Sequence, residues 1–241
     1  MIRFILLNAF IGLHTIVFCL LSFPLALFDR DGSLIHFWIA VPWAKAILWV
    51  SGIRVRVSGL ENLAEDRPRI LMTNHQSTYD IFALLAHIPL HFKFILKQEL
   101  MRLPFLGSAM RRAGYIGIER EDPRKAVKSM RDAAEKIRHG ASVVIFPEGT
   151  RSPDGTLQSF KRGGFNLALK AGCDIVPIGI RDSYKIVPKG SFRIRKGAFD
   201  LSIGKPIPTK DYNKKNIQDL MERVRSAIAE LMARPRGDGE Q

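Results

Sequence analysis

Ile70-Leu71-Met72-Thr73-Asn74-His75-Gln76-Ser77-Thr78-Tyr79-Asp80-Ile81-Phe82-Ala83-Leu84-Leu85 is the stretch on which the fold of this chain turns. Its first three residues form a short apolar run that reads as a strand. Its last seven are compatible with a helix. The polar loop between them carries a histidine with a carboxylate five positions on. A strand passing through such a loop into a helix is the repeating unit of an α/β sheet.

The flanking sequence keeps that texture. Ile53-Arg54-Val55-Arg56-Val57 alternates with period two, and 92–96, 115–118, 143–146 and 175–180 are further apolar runs bounded by turn formers. Asp122 as N-cap, Pro123 at the first helical position and Gly140 as the stop mark out one helix. A second follows from Asn216 to Met232, with Leu220, Met221, Val224, Ile228 and Leu231 on one stripe. The expectation is a mixed sheet flanked by helices over residues 53–233, with a frayed tail over 234–241.

Residues 1–52 are of another kind. Positions 4–28 contain no charged residue, and 25 helical residues reach ~37 Å, enough for a hydrocarbon core of roughly 30 Å. A second apolar stretch, Leu34 to Val50, carries Pro42, Lys45 and three tryptophans, residues that suit a membrane interface. Asp29-Arg30-Asp31-Gly32 makes a polar turn between them. The run is too long for a secretory leader, and no small-residue cleavage site follows it. A two-helix membrane anchor is the expectation, as one span with an interfacial helix or as a hairpin dipping into the bilayer.

The chain has 37 Lys+Arg against 23 Asp+Glu, a net charge of +14, and nearly all of the excess lies beyond residue 52. Such a domain attracts polyanions: anionic lipid, phosphorylated ligands or nucleic acid. No nucleic-acid motif appears, so nucleic acid is not the expected partner. Cys19 and Cys173 lie in unlike surroundings and predict no disulfide.

The chemistry concentrates in two islands. His75 with Asp80 has the composition of a general base and its orienter. The same residues also fit a capped helix start beside an exposed histidine. Phe146-Pro147-Glu148-Gly149-Thr150-Arg151-Ser152 follows an apolar run, at the C-terminal end of a strand, where α/β folds place ligands. Arg151 there can grip a phosphate, or Glu148 and Arg151 can pair and shape the loop. No G-x-S-x-G elbow appears, Cys173 has no histidine near it in sequence, and His75 lacks a second histidine or cysteine at zinc spacing. Neither metal nor cofactor is implied.

Asn74-His75-x4-Asp80 followed by Phe146 to Ser152 resembles the glycerolipid acyltransferase family, in particular its bacterial 1-acylglycerol-3-phosphate acyltransferases. Lys97-Gln98-Glu99-Leu100 with Pro104 and Gly107, then Gly114 to Arg120, is similar to the family's second block, and Ile175-Val176-Pro177-Ile178 to its fourth. The resemblance covers roughly residues 55–205. It implies that His75 deprotonates a glycerol hydroxyl that attacks an acyl thioester directly, and that Asp80 orients His75. It implies that Lys97, Arg120, Glu148, Gly149, Thr150 and Arg151 hold the acceptor and that Pro177 shapes the donor side. The implied substrates are lysophosphatidic acid and acyl carrier protein or coenzyme A thioesters, at the cytoplasmic face of the inner membrane among anionic lipids. One departure stands out: the second block often ends Ile-Asp-Arg, but here it is Ile118-Glu119-Arg120. That leaves lyso-ornithine lipid or glycerol 3-phosphate open as the acceptor. The resemblance carries no oligomeric state.

Overall fold

The computed structural model describes residues 2–64, 67–119 and 123–234. Arg120, the expected cap Asp122 and the tail beyond 234 lie outside them. Seven described strands form one sheet in the order β1-β7-β6-β2-β5-β3-β4. They are β1 (Ile53–Ser58), β2 (Ile70–Thr73), β3 (Phe92–Lys97), β4 (Ile116–Ile118), β5 (Ser142–Ile145), β6 (Ile175–Arg181) and β7 (Gly197–Ile203). The strands from β6 to β4 are mutually parallel, β6 and β7 are antiparallel, and β1 runs parallel to β7. Six of the seven match the sequence expectation within a residue or two.

The seventh, β7, is not among the expected strands, although Phe199, Leu201 and Ile203 alternate along it with Asp200 and Ser202. Pro177 determines where β7 can pair. A proline has no N–H for a ladder in mid-sheet, and the β6–β7 pairing begins one residue later, at Ile178 with Ile203. Past that point the chain leaves the ladder, with the Gly204 N–H on the Pro177 carbonyl at 2.8 Å, and rejoins as a bridge between Ile175 and Ile207.

Helices cover both faces, so the central strands are apolar on both sides. One face packs on α4 (Tyr79–His87): Leu71, Val144, Val176 and Phe199 meet Phe82, Ala83 and Leu84. The other face, with Ile70, Met72, Val143 and Ile145, packs on α6 (Pro123–Arg138), α7 (Arg162–Ala171) and α8 (Ile217–Ala233). The short α5 (Leu106–Arg112) lies beside the N-terminal helix.

That helix, α1 (Ile2–Leu25), is followed by a turn and then by α2 (Ser33–Ile35), a π-helical turn (His36–Ala40) and α3 (Val41–Ser51), which run on as one rod. Asp29 caps the rod by accepting the N–H groups of Gly32 at 2.9 Å and Ile35 at 2.7 Å. The π turn ends just before Pro42. Its wider register accommodates a ring that has no N–H to donate and would press on the carbonyl four residues back. Both Ile2–Leu25 and Ser33–Ser51 are long and apolar enough to cross a membrane. Along α1, Leu6, Leu13 and Leu20 are exposed, which a core helix would not be. On α3, by contrast, Ala44, Ile47 and Leu48 are buried against α4, and Trp43 meets Phe82 edge-on at 5.1 Å. The turn at Gly52 therefore marks a change of direction in the chain and not a gap in the core.

Candidate active site

The two islands lie about seventy residues apart in sequence and side by side in space because β2 and β5 are parallel neighbours, with Met72 opposite Ile145. Three residues beyond that pair, the His75 N–H meets Glu148 Oε1 at 3.1 Å. The Ser152 N–H then reaches the His75 carbonyl at 2.7 Å. On the other side Asn74, fully buried, exchanges two 2.7 Å hydrogen bonds with the backbone of Ile180 in β6. The histidine loop is thus pinned to the strands on both sides, at the carboxyl edge of the sheet.

Within that loop Asp80, in the first turn of α4, is fully buried. Its Oδ2 lies 2.8 Å from His75 Nδ1 and accepts the N–H groups of Gln76 at 2.7 Å and Ser77 at 2.9 Å. The one carboxylate thus both caps the start of α4 and holds the histidine ring. With Nδ1 engaged, Nε2 remains for a substrate. The imidazole lies flat on Phe146, 3.9 Å between ring centroids, which fixes the second ring axis.

His75 stands in the wall of a cavity of about 500 Å³, within the range of small-molecule sites. Its depth is apolar, formed by Ile11, Phe18, Ile39 and Trp43 of the N-terminal helices and by Phe82, Phe94 and Met110 of the domain. Its polar edge is made by His75, Thr78, Lys97, Gly149, Thr150 and Arg151. Arg151 Nη1 donates to Thr78 Oγ1 at 2.8 Å, and Lys97 pairs with Glu99 at 2.8 Å. Gly149 sits at φ +72°, and a Cβ there would come within 3.2 Å of the Lys161 side chain. Arg151, Lys97, Gly149 and Thr150 are thus gathered around His75. Glu148 and Pro177 do not line the cavity, and Arg120 is outside the described residues.

Glu148 is buried and turned inward. Burial pushes its carboxyl up to about 7, against the hydrogen bonds from the His75 and Gln158 backbones, while the negative charge of Asp80 raises it further. Relative to an unfolded carboxyl near 4.5, the folded chain holds this proton more tightly. Its stabilising contribution is complete below the unfolded value and is lost as pH rises through about 7. Glu148→Gln should flatten that loss. The melting temperature of the variant relative to wild type is expected to climb by about 3 °C or more between pH 5 and pH 8, measured by circular dichroism in detergent. A constant difference across that range would refute the assignment.

The acyltransferase family profile matches residues 54–181, more than half of the chain. This chain belongs to the acyltransferase family. It is 39% identical over 220 residues to a chloroplastic 1-acyl-sn-glycerol-3-phosphate acyltransferase of Arabidopsis thaliana, a match covering 90% of this chain and 60% of that one. A chloroplastic counterpart from Brassica napus is 40% identical, with 86% and 58% covered. The chain therefore spans about 60% of the length of these plant relatives. A 1-acyl-sn-glycerol-3-phosphate acyltransferase of Pseudomonas aeruginosa is 35% identical over 197 residues, 79% of this chain and 75% of its own. The crystal structure of the 1-acyl-sn-glycerophosphate acyltransferase PlsC from Thermotoga maritima superposes with a TM-score of 0.82 at 27% identity, covering 98% of this chain and 97% of that one.

In this acyltransferase-family site several neighbours were not expected from the sequence. Thr78, in the polar loop ahead of the helix, is the partner of Arg151. Phe146 supports the histidine ring. Lys189 Nζ donates to Thr150 Oγ1 at 3.0 Å from a loop far along the chain. Phe146 could have been found from its place one residue past β5, next to the histidine loop. Lys189 carried no local signal, since β6 alone brings its loop back to the site.

Proposed function

We propose that this protein transfers a fatty acyl group from an acyl thioester of acyl carrier protein or coenzyme A to the sn-2 hydroxyl of 1-acyl-sn-glycerol 3-phosphate, forming phosphatidic acid. One observation carries the reading: a histidine ring held by a buried carboxylate stands where an apolar cavity meets an arginine-bearing turn. The apolar depth suits acyl chain, the arginine suits phosphate, and the ring lies between them. The names of the relatives support the same acceptor.

In this reading His75 Nε2 takes the proton from the glycerol hydroxyl as its oxygen attacks the thioester carbonyl. The tetrahedral intermediate collapses, the C–S bond breaks, and the imidazolium returns the proton to the departing thiolate. Asp80 offsets the positive charge that the ring carries between those two steps. Arg151, Lys97 and Arg120 receive the phosphate, with Gly149 and Thr150 shaping the turn beside it. Glu148, bonded to the His75 backbone, serves as a positioning residue, and Pro177 acts through the path of β6. Oxygen ester replaces thioester with no other reactant. The apolar N-terminal helices hold the enzyme at the bilayer where the acceptor resides, with the basic domain on the cytoplasmic face of the inner membrane.

The test is an acceptor and donor panel on purified protein in mixed micelles. Transfer to lysophosphatidic acid is expected, and turnover only with another lysolipid or with glycerol 3-phosphate would reject this acceptor. Arg151→Ala is expected to raise KM for the lysolipid by about 10- to 100-fold, the range for one charge-assisted hydrogen bond, with donor KM little changed. An unchanged acceptor KM would remove Arg151 from the phosphate site.

A further inference from the structure

Between β6 and β7 the chain makes a loop, Pro188-Lys189-Gly190-Ser191-Phe192-Arg193-Ile194-Arg195-Lys196, in which residues 190–196 have no part in the chemistry above. Its tip carries Phe192, 76% exposed. With the exposed Phe4 and Ile5 of the adjoining α1 it belongs to an apolar patch, and such patches on an ordered surface mark interaction sites. The loop is ordered: Ile186 and Val187 at its base are buried, the Arg195 N–H closes on the Ile186 carbonyl at 3.0 Å, and the Ser191 N–H on the Pro188 carbonyl at 3.0 Å. Arg193, Arg195 and Lys196 are exposed, no carboxylate pairs with them among the described residues, and the sequence has no Asp or Glu from 183 to 199.

The position of the tip identifies its partner. Asn8 of α1 donates to the Phe192 carbonyl at 3.3 Å, which sets the tip against the end of α1 that exposes Phe4 and Ile5. The Lys196 side chain lies over Gly52, at the end of α3 whose Trp49 is 81% exposed. Exposed apolar side chains, an interfacial tryptophan and unpaired cations at one level are the composition of a membrane–water boundary.

We propose that loop 188–196 is a second membrane contact, inserting Phe192 among lipid chains while Arg193, Arg195 and Lys196 hold anionic headgroups. The inference rests on the reading of α1 as membrane-embedded and extends it to the loop beside that helix. At its base the loop is bonded to both islands, through Ser77 Oγ to the Val187 carbonyl at 2.9 Å and Lys189 to Thr150. Docking would therefore hold the mouth of the cavity at the level where a lysolipid headgroup lies. Each basic side chain near an anionic surface adds about fivefold in affinity, so anionic lipid is the preferred occupant.

The test uses the full chain with Cys173→Ser and Phe192→Cys carrying an environment-sensitive fluorophore, Cys19 being buried. A second protein carries the probe on α1 at Leu13→Cys. Both are reconstituted with vesicles of phosphatidylcholine, with or without phosphatidylglycerol, containing nitroxide-labelled lipid. The expected result is blue-shifted, quenched emission from position 192 that strengthens with phosphatidylglycerol and returns to the phosphatidylcholine level in Arg193→Glu/Arg195→Glu. Emission typical of water at 192, with quenching at 13, overturns the loop contact alone. Water-like emission at both positions overturns the membrane reading beneath it. A response at 192 to acyl carrier protein but not to vesicles would assign the surface to a protein partner and also reject the proposal.

Discussion

Replacing His75 with alanine is expected to lower the turnover of acyl transfer by about 10²- to 10⁴-fold, the contribution of a positioned general base, while leaving the fold and membrane attachment intact. Among the described residues the imidazole makes one side-chain hydrogen bond and one stacking contact, to Asp80 and Phe146. The backbone bonds that knit the islands, His75 N–H to Glu148 and Ser152 N–H to the His75 carbonyl, remain in the variant. Thermal melts should therefore move little, whereas initial rates at saturating acceptor and donor should collapse. The acceptor KM should change far less than kcat, because the ring acts on the hydroxyl and the phosphate is held elsewhere. Turnover within a few-fold of wild type would exclude His75 as the base.

Much of this arrangement could be read from the chain because local chemistry and global topology agree. Strands 70–73 and 142–145 are short apolar runs, each ending in a polar loop, and parallel neighbours must present those loops at the same edge. Elements went unread where tertiary contact overrides local preference. Helix α7 opens on Arg162-Gly163-Gly164, a poor helical start by propensity. Gly164 is there because its Cα faces Ile145 of β5, where a Cβ would already come within 3.1 Å of that side chain. Helix α5 is preceded by Phe105 at φ 55°, and its Gly107 packs against the Met101 carbonyl so closely that a Cβ would collide with it. Neither constraint has a period that a sequence pattern could show. The same holds for the cavity. Part of its apolar wall comes from the N-terminal helices, which read as a membrane anchor, so the part they play beside the histidine emerges only when they fold back on the domain.

Asp80 offers the second large effect and a way to separate geometry from charge. In Asp80→Asn the amide oxygen can take the place of Oδ2 and keep the bonds to His75, Gln76 and Ser77. The amide nitrogen then occupies the position of Oδ1, which is buried and has no hydrogen-bond partner among the described residues. The reverse orientation would set an N–H₂ against two backbone N–H donors and is excluded. Ring orientation therefore survives, and the negative charge beside a transient imidazolium is lost. In a dry site that loss is expected to reduce kcat by about 10²-fold or more. Asp80→Ala goes further: the Gln76 and Ser77 N–H groups lose their acceptor at the start of α4, at a cost of about 2–4 kcal/mol in stability. Because both residues serve one proton transfer, their effects should not add. The His75→Ala/Asp80→Asn double variant should turn over no more slowly than His75→Ala alone. If the two losses multiply, Asp80 stabilises something other than the histidine, and its role is that of a helix cap. If Asp80→Asn retains near-wild-type kcat, the buried charge is dispensable and orientation alone accounts for the pair.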